Sequence, residues 1–208
     1  MKMKQITAMI LALVVAFCVA ACGSEPQTSP VSSKTETSAQ TDAPAETPAA
    51  NGKTLVVYFS ATGTTKGVAE TIAAVENADL YEIVPAQPYS DADLNWNDSN
   101  SRSTKEQNEK SARPQIGSDA VTLDGYDTIY IGYPIWWGEE PRILDTFVEQ
   151  YSFDGITVIP FCTSGGSGIG RSGKNLAELA GSGNWLDGDR LRAGMSESDV
   201  QNWIDGLR

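Results

Sequence analysis

The stretch from Leu55 to Val75 constrains the chain more than any other. An apolar run of strand formers (Leu55, Val56, Val57, Tyr58, Phe59) leads into Ser60-Ala61-Thr62-Gly63-Thr64-Thr65, and Val68, Ile72 and Val75 follow at spacings of four and three residues. The first part reads as a buried strand and the last as the apolar face of a helix. A strand, a hydroxyl-rich turn and a helix N-terminus in that order make an anion site. The free backbone N–H groups and the positive dipole end of the helix face the anion, and Ser and Thr hydroxyls add donors. Nothing in the turn chelates a metal or acts as a strong base, so it suits holding a phosphate rather than cutting one. A nucleotide-hydrolysing P-loop needs two glycines five apart, then Lys, then Ser or Thr. Here Gly63 and Gly67 are four apart and Val68 follows the second. The competing reading of the turn is a Ser/Thr helix cap with no ligand.

Strands and helices alternate along the rest of the chain. Leu80 to Val84 reads as a second strand. A long polar stretch from Gln87 to Asp119 holds one candidate helix near Thr104–Ala112 and few apolar anchors. Thr128 to Gly132 reads as a third strand, and Pro141 opens a helix with Ile143, Leu144, Phe147 and Val148 on one face. Ile156 to Phe161 makes a fourth strand, a helix follows around Asn175–Ala180, and a short strand falls near Asp189–Leu191. Ser196 and Asp199 have capping-box spacing ahead of a last helix that turns Val200, Trp203, Ile204 and Leu207 inward. Five strands separated by helices imply a parallel sheet covered on both faces.

Ligands of such sheets bind beyond the carboxyl ends of the strands. Three loops should meet there. The hydroxyl turn is the first. The second, Gly132-Tyr133-Pro134-Ile135-Trp136-Trp137-Gly138-Glu139-Glu140-Pro141, carries two adjacent tryptophans that cannot both enter the core, so at least one offers a flat face to a planar ligand. The third, Cys162-Thr163-Ser164-Gly165-Gly166-Ser167-Gly168-Ile169-Gly170, lets bare backbone approach a heterocycle. It fails the dinucleotide fingerprint, which would need glycine at Arg171. A phosphate cradle, an aromatic loop and a glycine loop together describe a mononucleotide with a flat ring system. The alternatives are a partner patch for the tryptophans and a plain flexible turn for the glycines.

At these three loops the domain resembles the flavodoxins. Their Thr/Ser-x-Thr-Gly-x-Thr phosphate loop is matched by Ser60, Thr62, Gly63 and Thr65, with Ala61 and Thr64 at the variable positions. The two loops that flank the isoalloxazine are matched by Pro134, Ile135, Trp136, Trp137 and Gly138, and by Thr163, Ser164, Gly165, Gly166, Gly168 and Ile169. The resemblance implies an α/β three-layer sandwich of the short-chain type, with a five-stranded parallel sheet in the order 2-1-3-4-5, helices on both faces, and noncovalent FMN. Glu139 and Glu140 beside the ring would then disfavour an anionic reduced flavin, and Gly138 would permit backbone movement there. The segment 87–119 exceeds what a compact flavodoxin places at this point. It would cover the flavin or form a partner site, with Tyr89 and Trp96 as contacts.

Composition narrows the surroundings. Residues 53–208 carry 12 Lys+Arg and 23 Asp+Glu, a net charge of -11. Such a surface repels nucleic acid and anionic headgroups and attracts a basic partner, although the same charge also serves plain solubility. The chain has no His, which removes the commonest general base and transition-metal ligand. Ahead of the domain, Lys2 and Lys4 precede an uncharged apolar run from Ile6 to Ala21, short for a span and suited to export. Val19-Ala20-Ala21-Cys22 resembles a bacterial lipobox, with Val19 where Leu is usual. Residues 1–21 are therefore expected to be a lipoprotein signal peptide, and 22–52 a lipidated Cys22 with a disordered Ser/Thr/Pro/Ala-rich tether. An uncleaved anchor or ordinary signal cleavage near Ala21 are the alternatives. Cys162 alone remains in the domain, as core filling.

The expected function is an FMN-binding redox protein that carries electrons at the extracytoplasmic membrane face, anchored by lipid. Its partner would be a redox protein, a basic one, or a small acceptor. Two alternatives stand beside it. One is an FMN-dependent reductase of quinones using a nicotinamide donor, with Tyr133 and Trp136 lining a substrate slot. The other is a flavin-free tethered binding module.

Overall fold

The computed structural model describes residues 52–207. The expectations for the signal peptide, Cys22 and the tether lie outside the described residues. Eleven elements follow one another: β1 (Lys53–Tyr58), α1 (Thr64–Glu76), β2 (Asp79–Glu82), α2 (Arg102–Asn108), β3 (Tyr126–Pro134), α3 (Arg142–Val148), β4 (Thr157–Thr163), α4 (Ser172–Ala180), β5 (Asn184–Trp185), β6 (Asp189–Arg190) and α5 (Glu197–Asp205). All strand pairs are parallel, in the order β2-β1-β3-β4-β5, with β6 also on β4. The expected sheet order is thus observed.

Strand alternation builds two cores from one sheet. Leu55 and Val57 of β1 and Phe59 just beyond it, with Ile129 and Ile131 of β3, pack toward Ile143, Leu144 and Phe147 of α3 and Leu176 of α4. Val56 and Tyr58, with Tyr130 and Phe161, pack toward Val68 and Ile72 of α1 and Val200 and Ile204 of α5. Each fully buried Leu, Ile, Val or Phe contributes about 1.5–3 kcal/mol, so both faces of β1 and β3 are fixed in register. The capping box at Ser196 and Asp199 forms as the spacing predicts.

Two elements depart from the sequence reading. The fifth sheet position is split into β5 and β6, of which the sequence marks only the second. The split lies opposite Pro160. Asn184 N–H, Leu186 N–H and Leu191 N–H donate to the carbonyls of Ile156, Val158 and Cys162, so Pro160 occupies the intervening ladder position and has no N–H to offer. Gly188 passes there against the Pro160 carbonyl, where a Cβ would approach to 1.9 Å. The second departure is α2, which spans Arg102–Asn108 rather than Thr104–Ala112. Ser101 is its cap and accepts from Thr104 N–H, so the helix starts earlier than an apolar pattern could reveal.

Candidate functional site

At the carboxyl ends of β1 and β3 a cavity of about 380 Å³ is lined by Ser60, Ala61, Thr62, Thr65, Leu94, Trp96, Ser103, Pro134, Ile135, Trp136 and Trp137. Its size falls in the range of small-molecule sites, about 300–1,000 Å³. Its phosphate end follows from how α1 begins. The cap residue is Gly63 at φ 85°, with no side-chain cap, so the reading of the turn as a hydroxyl helix cap is not what forms. The first N–H groups of a 13-residue helix therefore open outward without an internal partner. A Cβ at Gly63 would meet nothing within 4 Å, yet its positive φ favours glycine.

The hydroxyls are disposed unequally. Thr65 Oγ1 is buried and pairs with Thr163 Oγ1 at 2.8 Å, tying the first loop to the third. Thr62 Oγ1 and Thr64 Oγ1 stand 3.3 Å apart. Ser60 Oγ is buried and has no hydrogen-bond partner. A buried donor without an acceptor is costly, and one lining a cavity beside an uncapped helix N-terminus fits an anionic oxygen. Lys66, the cation of the first helical turn, reaches instead toward Glu82 at 3.8 Å, leaving the cradle built of neutral donors.

The aromatic end is a tight turn. Trp136 and Glu139 exchange both backbone hydrogen bonds, at 2.9 and 3.0 Å. Between them Trp137 and Gly138 have φ of 51° and 84°, the pair of positive values a type I′ turn requires. Trp136 is clamped edge-on between Phe59 (5.5 Å) and Tyr89 (5.2 Å). Trp137 is 46 % exposed and is the ring of the pair left with a free face. Tyr133, expected in a substrate slot, is instead fully buried and bonded to Ser172 Oγ at 3.0 Å. It belongs to the core because β3 runs on to Pro134, two residues past Gly132, and the pleat turns its side chain inward.

The third loop contributes less to this cavity. Thr163 touches Thr65, but Ser164, Gly165, Gly166 and Gly168 are not on the cavity wall, and Ile169 packs against the α3/α4 core. The loop nears the turn at Gly170, where a Cβ would lie 3.7 Å from the Gly138 carbonyl oxygen. The segment 87–119 does supply a wall. Trp96, 73 % exposed, lines the cavity with Leu94 and Ser103, whereas Tyr89 stands behind Trp136 and donates to Glu106. Leu94 and Ser103 gave no signal in the sequence because polar contacts place them: Ser103 Oγ donates to the Asp93 carbonyl at 2.6 Å and Arg102 Nη1 to that of Gln87 at 2.6 Å.

On the other side of Trp137 a polar cleft of about 780 Å³ is lined by residues that include Gly138, Glu139, Glu140, Arg142, Asp145 and Asn175. The two glutamates of the turn differ sharply. Glu139 is held below its ordinary range by the Arg142 guanidinium at 2.5 Å. Glu140 is 1 % exposed, and burial pushes its carboxyl up to about 7. Among the described residues no group of carboxylates, cysteines or histidines forms a metal site, and no helix is long and apolar enough to cross a membrane.

Fold and site together define a parallel α/β protein shaped for a phosphate at one end and a flat ring at the other. The flavodoxin family matches residues 53–207, and the chain belongs to that family. It is similar to a candidate flavoprotein of Bacteroides eggerthii, with 48% identity over 76% of this chain and 98% of that one and a TM-score of 0.71. A candidate flavoprotein of Bacteroides uniformis shares 49% identity over 74% and 98%, with a TM-score of 0.70. A Lactobacillus acidophilus flavoprotein in complex with FMN shares 27% identity over 74% and 99%, with a TM-score of 0.58. No curated protein matches the chain.

Proposed function

We propose that this protein binds FMN noncovalently and carries electrons at the extracytoplasmic face of a membrane, to which a lipid on Cys22 anchors it. The observation that carries the cofactor is Ser60 Oγ, buried without a partner beside the uncapped start of α1 in a cavity walled by tryptophans. The family membership and the FMN complex of the Lactobacillus acidophilus flavoprotein support it. In this reading Ser60, Thr62, Thr65 and the first N–H groups of α1 hold the phosphate, while Pro134–Gly138 and Trp96 border the ring. FMN, when bound, accepts and returns electrons; the protein orients it and sets its potential. Thr163 positions Thr65, while the rest of the third loop lies off the cavity wall, with Ile169 packed against the core.

The acidic surface favours a basic redox partner protein, and the exposed cavity mouth admits a small acceptor. The anchor rests on the export pattern and on Val19-Ala20-Ala21-Cys22. A tether of residues 22–52 would let the domain range roughly 30 Å from the membrane surface. Replacing Cys22 by Ala is expected to move the protein from the membrane fraction to the soluble one; retention at the membrane refutes the lipid anchor. Carrier and reductase separate in one assay. The FMN-loaded carrier oxidises NADH or NADPH only slowly in the presence of quinone, and brisk turnover would establish the reductase instead.

A further inference from the structure

Behind Trp137 the molecule buries an ionic cluster that phosphate and ring binding do not use. Arg142, 4 % exposed, is the guanidinium that three carboxylates share: Glu139 at 2.5 Å, Asp145 at 3.4 Å and Glu140 at 3.6 Å. The sharing is unequal. Glu139 also meets Lys110 at 3.7 Å, and Asp145 meets Arg113 at 3.7 Å, itself paired with Glu149. Glu140 lies farthest from the guanidinium, and its further support is the neutral Asn175 amide of α4, at 3.2 and 3.3 Å. Tyr133 of β3 stands within electrostatic reach, and the exposed pair of Arg171, the residue before α4, and Glu178 within it closes the rim. Carboxylates 139, 140, 145 and 149 outnumber the cations 110, 113 and 142 by one. Asp145 has two guanidiniums against it, Glu140 one. Burial raises both carboxyls, Asp145 to about 6 and Glu140 to about 7, so a proton that neutralises the excess goes first to Glu140.

Glu140 is also fastened to the turn. Gln107 Nε2 donates to the carbonyls of both Trp136 and Glu140, at 3.0 and 3.2 Å. Trp137 lines both the cavity and the cleft that holds Glu140, so a charge arriving in the cavity is felt at Glu140 across one indole ring.

We propose, resting on the FMN reading above, that Glu140 links reduction at the cavity to proton uptake by the protein. With FMN bound, two electrons from the redox donor and one proton would leave one net negative charge at the cavity. The Glu140 carboxylate then takes a further proton from solvent on a side-chain oxygen, forming one O–H bond. It releases that proton when the electrons pass to the acceptor. Below about pH 7, where burial already keeps the carboxyl protonated, Glu140 has no uptake left to make; between there and the higher pH at which it ionises beside the reduced site, it adds one proton per two electrons to the one at the flavin.

The test is the midpoint potential of the FMN-loaded full chain, poised with dithionite and followed from acid to alkaline pH. The expected line steepens above about pH 7 by one proton per two electrons. Glu140→Gln, which keeps the shape and the Asn175 contact, loses the steeper segment. Asp145→Asn keeps the segment but displaces it to lower pH, because the Asp145 charge helps hold the Glu140 proton. A wild-type line with no steeper segment, or one that Glu140→Gln leaves unchanged, overturns the proposal. If Glu140→Gln does not fold, an undisplaced segment in Asp145→Asn overturns it equally. A loaded sample without flavin absorbance refutes the FMN reading and the proposal together, whereas an unaltered pH line in flavin-coloured protein refutes the proposal alone.

Discussion

On one side of Trp137 lies a cavity with an unpartnered hydroxyl and open aromatic faces; on the other lies a cleft whose charges are already bonded to one another. The contrast separates two tasks. The cavity leaves the Ser60 hydroxyl buried without a partner beside an open helix start, an arrangement that an anionic ligand completes. The cleft pairs its charges with one another at a desolvation cost, although Arg142 Nε and Asp145 Oδ1 have no hydrogen-bond partner. Its contribution is an electrostatic setting behind the turn that depends on the protonation of Glu140. A tight turn with two positive-φ residues is what lets one ring divide them.

Removing the shared guanidinium should break the comparison most severely. Arg142→Ala leaves Glu140 and Asp145 buried beside each other, and the expected loss is about 3–5 kcal/mol in urea unfolding. A loss below about 1 kcal/mol would show that the cleft is solvated rather than a buried ionic unit.

A second effect follows from pH. The Glu140 carboxyl is raised from 4.5 to about 7, so the folded protein holds a proton that the unfolded chain releases. Its stabilising contribution is complete below about pH 4.5 and is lost as pH rises through about 7. Glu140→Gln should remove that fall, a change on the order of 3 kcal/mol at most between the two limits. Parallel stability curves for the two proteins across this window would contradict the assignment.

Smaller changes probe the cavity. Ser60→Ala should weaken FMN binding by about 1–3 kcal/mol, since a charge-assisted hydrogen bond is lost, and leave riboflavin binding unchanged; equal weakening of both would place Ser60 away from the phosphate. Trp96→Ala should shift folding stability by less than about 0.5 kcal/mol, as a ring 73 % exposed, while FMN affinity falls by about 1 kcal/mol. Unchanged affinity would remove the 87–119 segment from the site.

Much of this was legible in the sequence because it rests on periodicity and local turn chemistry. The alternation in β1 and β3, the helix faces at Val68–Ile72 and Ile143–Phe147, and the Ser196 cap all announce themselves in spacing. What was hidden depends on polar contacts between distant positions. Nothing in Ser103 or Gln107 shows that one holds the Asp93 carbonyl and the other those of Trp136 and Glu140. Tyr133 looked like a loop residue because its strand extends past a glycine, and the split fifth position depends on a proline in the neighbouring strand. Glu139 and Glu140 looked equivalent as adjacent acids; only the fold makes one a half-exposed ion-pair partner and the other a buried carboxyl.

The account turns on whether the orphaned hydroxyl, the open helix start and the tryptophans serve one ligand. Titrating FMN into the purified full chain tests this most directly. One equivalent should quench the flavin fluorescence and colour the protein, and riboflavin should bind far more weakly because it lacks the phosphate. Protein that stays colourless and leaves FMN fluorescence unquenched would contradict the account.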